Sequence, residues 1–143
     1  MGFPTLGLLE LQSILSEIRR SSSYNPGPQG IFHRGVIKKG SRTRTTVGGL
    51  SAYLSHNRRY FLTGKIDSTE VMVMNRYAEH SVTTFSGTGD SGSIIVDARG
   101  SPVALLTAQT SPSFLTFGTP MFWLWDIILS KFPDAALNWD NTD

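Results

Sequence analysis

From Ile31 onward, short segments rich in β-branched and aromatic residues alternate with clusters of turn-forming residues. Segments of this composition favour strands, because branched side chains pack well on a pleated surface. Residues 35–40 are predicted as a strand followed by a turn, and further strands are predicted at 43–47, 50–54, 60–63, 70–75, 81–85, 93–96 and 103–107. Many short strands at regular spacing are typical of a sandwich or a barrel, so the chain is predicted to be mainly β.

Glycine and polar residues predict where these strands end. Gly48-Gly49 is predicted to break a strand, and residues 55–58, Ser-His-Asn-Arg, are predicted to form the turn of a hairpin. Residues 97–100, Asp-Ala-Arg-Gly, are predicted to form a hairpin loop with Gly100 in the left-handed conformation. Tight turns of this kind place consecutive strands side by side in antiparallel order.

A helix is predicted at each end of the β region. Leucine and isoleucine recur at helical spacing over residues 6–20, which predicts an amphipathic N-terminal helix. Thr119-Pro120 predicts the start of a C-terminal helix, with Thr119 as the N-cap, and Pro133 predicts its end. The predicted organisation is an N-terminal helix at 1–20, a linker at 21–30, a β domain with its terminal helix at 31–133, and a flexible acidic tail at 134–143.

Composition limits the classes of protein that the chain can belong to. Its 143 residues favour one domain, and 39% hydrophobic residues are ordinary for a globular protein. The absence of cysteine excludes disulfides and thiolate metal sites, and slightly favours a cytoplasmic location over secretion. No apolar run is long enough to span a membrane, and Glu10 interrupts the N-terminal leucines, so neither a membrane partner nor a signal peptide is expected.

Positive charge is concentrated between residues 33 and 65, where eight basic residues occur without any acid. These residues are Arg34, Lys38, Lys39, Arg42, Arg44, Arg58, Arg59 and Lys65. Such a stretch can contact phosphate groups. Runs of this kind are more often the solvated rim of hairpins, so nucleic acid is not the expected partner.

A glycine-dense turn, Gly87-Thr88-Gly89-Asp90-Ser91-Gly92, carries the clearest chemical signal. Acyl-transfer catalysis needs backbone N–H groups that converge on a developing oxyanion beside a nucleophilic hydroxyl, and glycine permits the tight backbone path. A chance turn in an unrelated β domain is the simplest alternative. No two histidines stand at the spacing of a metal site, so no metal or other cofactor is expected.

The turn and its flanks resemble the chymotrypsin/trypsin-like serine peptidases. The resemblance covers residues 33–132 and includes the strand after Gly92, the hairpin that follows it, and Thr119-Pro120 before the C-terminal helix. Lys39-Gly40 and the stretch from Thr43 to Gly48 are similar to the disulfide-free fungal and bacterial members, except that Arg44 replaces a glycine. The resemblance implies a single antiparallel β-barrel, equivalent to the second, nucleophile-bearing barrel of these enzymes.

The resemblance also implies roles for individual residues. Ser91 would be the nucleophile, the N–H groups of Gly89 and Ser91 would form the oxyanion hole, and Asp90 would hold the shape of the turn. Phe85 would lie near the base of an apolar specificity pocket. Thr107 and Ala108 would belong to the strand edge that pairs with an extended peptide substrate.

A complete catalytic triad is not evident. Trypsin-like enzymes carry their histidine and aspartate in a first barrel, and this chain resembles only the second. The order of His33 or His56, then Asp67, then Ser91 is present, but these residues match second-barrel positions. We therefore expect a serine peptidase-like domain that is incomplete or inactive alone, whose partner is a peptide or protein substrate or a second chain supplying the missing barrel. The alternative is a non-catalytic module that binds protein or nucleic acid on the same scaffold.

Overall fold

The computed structural model describes residues 25–26, 32–78, 81–110 and 115–137. The predicted N-terminal helix, most of the predicted linker and the end of the predicted tail lie outside these residues. The elements in the described residues are β1 (Asn25–Pro26), β2 (Phe32–Gly40), β3 (Arg44–Phe61), β4 (Gly64–Ala78), β5 (Ser81–Thr83), β6 (Ile94–Asp97), β7 (Pro102–Gln109), β8 (Leu115–Pro120) and α1 (Met121–Lys131).

The strands form one antiparallel sheet that closes in a ring. Neighbouring strands pair along the path β2-β3-β4-β8-β7-β6, and β6 pairs back with β2. The closing register places Val36 opposite Asp97 and Lys38 opposite Ile95. The short strands β1 and β5 pair with β2 and β4 respectively. The predictions of a mainly β, antiparallel structure and of a C-terminal helix are therefore confirmed.

The ring encloses the hydrophobic core. Because side chains alternate between the two faces of a strand, every second residue can point inward. The core side chains belong to Val36, Leu50, Val71, Val73, Phe85, Ile95, Val103, Ala104 and Leu106. Their burial supplies the main driving force for closing the sheet.

The predicted strand break at Gly48-Gly49 is wrong, because β3 continues through both glycines. A Cβ atom at Gly48 would lie 2.7 Å from the ring of Phe85 and 2.7 Å from a methyl group of Val73. The glycine is therefore required by close packing against the core, which is the other common reason for glycine in a strand.

The predicted turn at residues 55–58 is also wrong. Strand β3 runs on to Phe61, the turn consists of Leu62 and Thr63, and β4 returns from Gly64. The polar residues of the predicted turn are paired across the hairpin, where Arg58 stands opposite Asp67. These residues are polar because the long two-stranded hairpin is exposed to solvent. A cluster of polar residues is also typical of a turn, so the sequence alone predicts a turn here.

Helix α1 begins directly at the end of β8. Pro120 occupies the N-cap position and no side chain caps the helix, so the prediction of Thr119 as the N-cap is wrong. The helix ends at Lys131, just before Pro133 as predicted. Phe122 packs against the core, which holds α1 on the sheet. No helix in the described part of the chain is long and apolar enough to cross a membrane.

Candidate active-site turn

The glycine-dense segment folds into a compact turn between β5 and β6, here called the Ser91 turn (residues 87–93). The Asp90 N–H donates to the Gly87 carbonyl at 3.0 Å, and the Gly92 N–H donates to Leu106 in β7 at 2.8 Å. Gly89 and Gly92 have φ angles of 103° and 87°, which side chains other than glycine rarely tolerate. The turn is therefore fixed internally and anchored on the sheet.

The Asp90 carboxylate joins this turn to the segment between β2 and β3. It is completely buried. One oxygen accepts the N–H groups of Arg42 at 2.7 Å and Thr43 at 3.2 Å. The other accepts the Gly87 N–H at 3.0 Å and the Thr43 hydroxyl at 2.5 Å. These contacts fit the predicted role of Asp90 in holding the shape of the turn.

Lys38 supplies the counter-charge to this carboxylate. Its Nζ lies 3.3 Å from Asp90 Oδ2, and both side chains are shielded from solvent. Burial alone would raise the pKa of Asp90, but hydrogen bonds from the Thr43 hydroxyl and from backbone N–H groups outweigh it and hold that pKa well below its usual range. Burial lowers the pKa of Lys38, and the attraction of Asp90 opposes this shift.

Gly40 makes room for the buried carboxylate. A Cβ atom at this position would overlap Asp90 Oδ1 and would lie only 2.6 Å from Asp90 Cγ. The close approach to Asp90 gives a physical reason for glycine at this position.

Ser91 presents its hydroxyl at the exposed surface of the turn. Its Oγ lies 3.5 Å from the Thr107 carbonyl oxygen, a long hydrogen bond. Within the described residues, neither the Gly89 N–H nor the Ser91 N–H donates a hydrogen bond. The Ser41 hydroxyl holds the Gly89 carbonyl at 2.6 Å, which fixes the adjoining peptide. Among the described residues, both N–H groups therefore lack an acceptor next to the exposed Ser91 hydroxyl.

Among the side chains that the structure describes, no base contacts Ser91. His56 lies on β3, where its Nδ1 is 3.2 Å from the Thr69 hydroxyl. Asp67 is held by Arg58 through contacts of 2.6 Å and 3.1 Å, so its carboxylate does not orient His56. His33 lies on β2, opposite Ser51. His80 is outside the described residues, within which no cluster of His, Asp or Glu is arranged to bind a metal.

Thr107 and Ala108 lie in the part of β7 that continues past Ile94, the first residue of β6, next to the Ser91 turn. The last residue of β7 paired with β6 is Leu105, so no strand in the described residues pairs with that edge further along. Thr107 is an extra residue in the pairing with β8, because Leu106 and Ala108 stand opposite consecutive residues there. This β-bulge re-aims the backbone next to the turn.

Glu70, which no sequence motif marks, supports the same edge. Its side chain is only 5% exposed. Its carboxylate accepts the Thr107 hydroxyl at 2.9 Å and the Ser68 hydroxyl at 2.8 Å. Glu70 therefore fixes the side chain of the residue whose carbonyl lies nearest the Ser91 hydroxyl.

Phe85 lies in the core rather than at an open surface. Its side chain is fully buried, and its ring lies 5.5 Å from Lys38 Nζ. Its N–H donates to Asn75 Oδ1 and its carbonyl accepts the Thr46 hydroxyl. The ring has no exposed face with which to line a pocket for a substrate side chain.

Several residues of the basic stretch between residues 33 and 65 form ion pairs within the protein. Arg34 is buried with Asp97 at 2.8 Å, and Lys38 is buried with Asp90 at 3.3 Å. Arg58 pairs with Asp67 at the surface. Three of the basic residues that could have formed a phosphate-binding strip are therefore engaged with carboxylates.

Comparison with protein-family models finds no match to this chain, and no curated protein matches it at a significant level. The functional interpretation therefore depends on the chain's own residues. Those that bear on it most are the exposed Ser91 hydroxyl, the two N–H groups beside it, and the buried pair of Asp90 and Lys38.

Proposed function

We propose that residues 31–133 form the nucleophile-bearing half of a trypsin-like serine peptidase scaffold, with Ser91 as the nucleophile. The antiparallel sheet that closes in a ring supports this proposal, because that half is expected to consist of antiparallel strands. The observation that carries it is the Ser91 turn, in which an exposed hydroxyl adjoins two N–H groups that donate no hydrogen bond within the described residues.

The proposed Ser91 turn would supply the nucleophile and the oxyanion donors of acyl transfer, but not the base. In the complete reaction the serine oxygen attacks an acyl carbon, a base accepts the hydroxyl proton, and backbone donors stabilise the oxyanion. Here the donors would be Gly89 and Ser91. If no residue outside the described part of the chain supplies a base, only the residual catalysis of binding and oxyanion stabilisation remains, orders of magnitude below that of a full enzyme. The domain alone is thus proposed to be inactive as a peptidase.

A peptide would bind in extended form along the free edge of β7. The Thr107 carbonyl lies there, 3.5 Å from the Ser91 hydroxyl, and Ala108 follows it on the same strand. A strand added at such an edge gains affinity from main-chain hydrogen bonds. The missing histidine and aspartate would come from a second chain that supplies the first barrel.

Labelling with a fluorophosphonate, with and without added imidazole, tests the proposal. Imidazole can serve as an external base, so it should accelerate phosphonylation of Ser91 while the chain alone reacts slowly. Ser91→Ala should abolish this labelling, and Ser130→Ala, at an exposed serine on α1, should leave it unchanged. If the fluorophosphonate, with imidazole present, labels Ser91 no faster than Ser130, the proposed oxyanion site is wrong. Rapid labelling without imidazole would show that the chain supplies its own base.

A non-catalytic peptide-binding module is the second candidate. The engagement of His56 with Thr69 and of Asp67 with Arg58 favours it, since neither group is free to assist the serine. In this case peptide binding at the edge of β7 would persist in Ser91→Ala, and imidazole would produce no selective reaction at Ser91.

A further inference from the structure

The end of the long β3–β4 hairpin projects away from the closed sheet. Residues 58–67, here called the tip ribbon, pair only with one another among the described residues, from Arg58 opposite Asp67 to Phe61 opposite Gly64. Every residue of the tip ribbon is exposed. A two-stranded ribbon with neither face covered is marginally stable in water. A contact with another surface would explain why this one carries exposed apolar side chains.

Bulky apolar side chains are concentrated at the very end of this ribbon. Tyr60, Phe61 and Leu62 follow one another into the turn, with exposures of 75%, 54% and 109%. Ile66, further back on the returning strand and opposite Arg59, is 58% exposed. Scattered apolar residues are normal on a surface, whereas a contiguous group at a projecting tip indicates a binding site.

Positive charge stands directly behind the apolar end. Arg58 and Arg59 precede it on β3, and Lys65 follows it on β4, opposite Tyr60. The one acid of the tip ribbon, Asp67, pairs with Arg58. The ribbon therefore has an apolar end with positive charges behind it, here called the cationic collar (Arg58, Arg59 and Lys65). This arrangement complements a surface that is anionic outside and apolar beneath.

We infer that the tip ribbon docks on the surface of an anionic lipid bilayer. A strand rises about 3.3 Å per residue, so Arg59 stands roughly 10 Å behind Leu62. Peripheral elements bury their apolar groups about 5–10 Å into the boundary between headgroups and acyl chains. With Phe61 and Leu62 inserted to that depth, Arg59 and Lys65 lie at the level of the lipid phosphates, and Tyr60 lies in the interface that aromatic rings prefer.

The composition of the tip favours lipid over nucleic acid. Tyr60 and Phe61 have rings on which bases can stack, but Leu62, the most exposed side chain of the tip, and Ile66 are aliphatic and offer neither stacking planes nor hydrogen bonds to bases. The docking site is separate from the chemistry of Ser91 and does not require the proposed peptidase ancestry. It concerns peripheral attachment and involves no membrane-spanning segment.

Co-sedimentation of the folded chain with lipid vesicles tests this inference. Vesicles of phosphatidylcholine containing about 30% phosphatidylserine should bind the chain, and pure phosphatidylcholine vesicles should bind it weakly, because the cationic collar needs anionic headgroups. Salt raised from about 0.1 M to about 0.5 M should weaken the binding by screening these charges.

Matched variants locate the binding surface. Phe61→Ser and Leu62→Ser should each weaken binding about tenfold or more, through the loss of one inserted side chain. Tyr53→Ser is the control, because Tyr53 is 69% exposed but lies outside the tip ribbon. Arg59→Gln combined with Lys65→Gln should abolish the preference for phosphatidylserine, and Lys39→Gln should not. All these positions are exposed, so circular dichroism should show an unchanged fold.

Three results would overturn the inference. One is the absence of binding to phosphatidylserine vesicles at low salt. Another is binding that Leu62→Ser and Phe61→Ser leave unchanged. The third is self-association that depends on Leu62, measured by light scattering without vesicles, in a chain that does not bind lipid. That result would assign the tip ribbon to a contact between two copies of this chain.

Discussion

The Asp90 carboxylate lies 3.3 Å from the Lys38 ammonium group, and solvent reaches neither side chain. Lys38 belongs to β2 at the position where that strand pairs with β6 and closes the ring. Asp90 immediately precedes Ser91 in the candidate active-site turn. The ion pair therefore links the geometry of the turn to the closure of the sheet, and a change to either partner should affect both.

Lys38→Met should destabilise the protein by about 3–5 kcal/mol, because it leaves a buried carboxylate without its counter-charge. Lys39→Met is the matched control, since Lys39 is exposed on the same strand, and it should change stability by no more than about 0.5 kcal/mol. Urea denaturation of both variants measures the difference. Equal midpoints would show that the Lys38–Asp90 pair does not stabilise the fold.

The depressed pKa of Asp90 predicts a loss of stability in acid. A carboxyl group whose pKa is lower in the folded state than its unfolded value of about 3.9 stabilises the fold fully above that value, and the contribution is lost as the pH falls through the folded-state pKa. Asp90→Asn should therefore be much less stable than the parent at neutral pH, and the gap should narrow below about pH 4. Unfolding curves across this range measure the gap, and a constant difference would contradict the assignment.

Gly40→Ala should destabilise the fold by about 1–3 kcal/mol, because the new methyl group overlaps the buried Asp90 carboxylate. Gly35→Ala serves as the control on the same strand, where a Cβ atom meets nothing within 4 Å. The control should keep the parent's thermal midpoint or exceed it. If the two variants have the same midpoint, the close approach of Gly40 to Asp90 does not constrain the turn.

Thr107→Val should cost about 1–3 kcal/mol, because it deprives the buried Glu70 carboxylate of a hydroxyl donor. Thr107→Ser keeps the hydroxyl and should recover most of the loss. Denaturant unfolding of the two variants measures the contribution of this hydrogen bond. Similar stabilities for valine and serine at this position would show that Glu70 is satisfied without Thr107.

Features with local causes could be predicted from the sequence. The loop at residues 97–100 carries Gly100 at a φ of 83°, and the Asp97 carboxylate accepts the N–H groups of Arg99 and Ser101 across it. The helix that follows Pro120 was likewise predictable, because proline fits a helix start and apolar residues recur after it. In each case the determining residues lie within a few positions of one another.

Features that depend on distant contacts could not be predicted in this way. The buried role of Lys38 depends on Asp90, which folding brings beside it from a distant part of the chain. Gly48 looks like a strand break until the ring of Phe85 is known to pack against it. Glu70 looks like an ordinary surface acid, because its contact with the Thr107 hydroxyl exists only once folding brings β7 beside it. These contacts arise from the closure of the ring, which no local pattern encodes.

The most direct test of the central claim is a titration of the isotope-labelled chain with a peptide boronic acid, followed through the amide signals of Gly89 and Ser91. The Ser91 oxygen would bond to boron and release its proton to solvent, and the resulting borate oxyanion would accept both N–H groups. We expect both amide protons to move downfield in a saturable manner, and neither to move in Ser91→Ala. A folded chain in which neither signal responds, even at high boronic acid concentration, would contradict an oxyanion site at this turn.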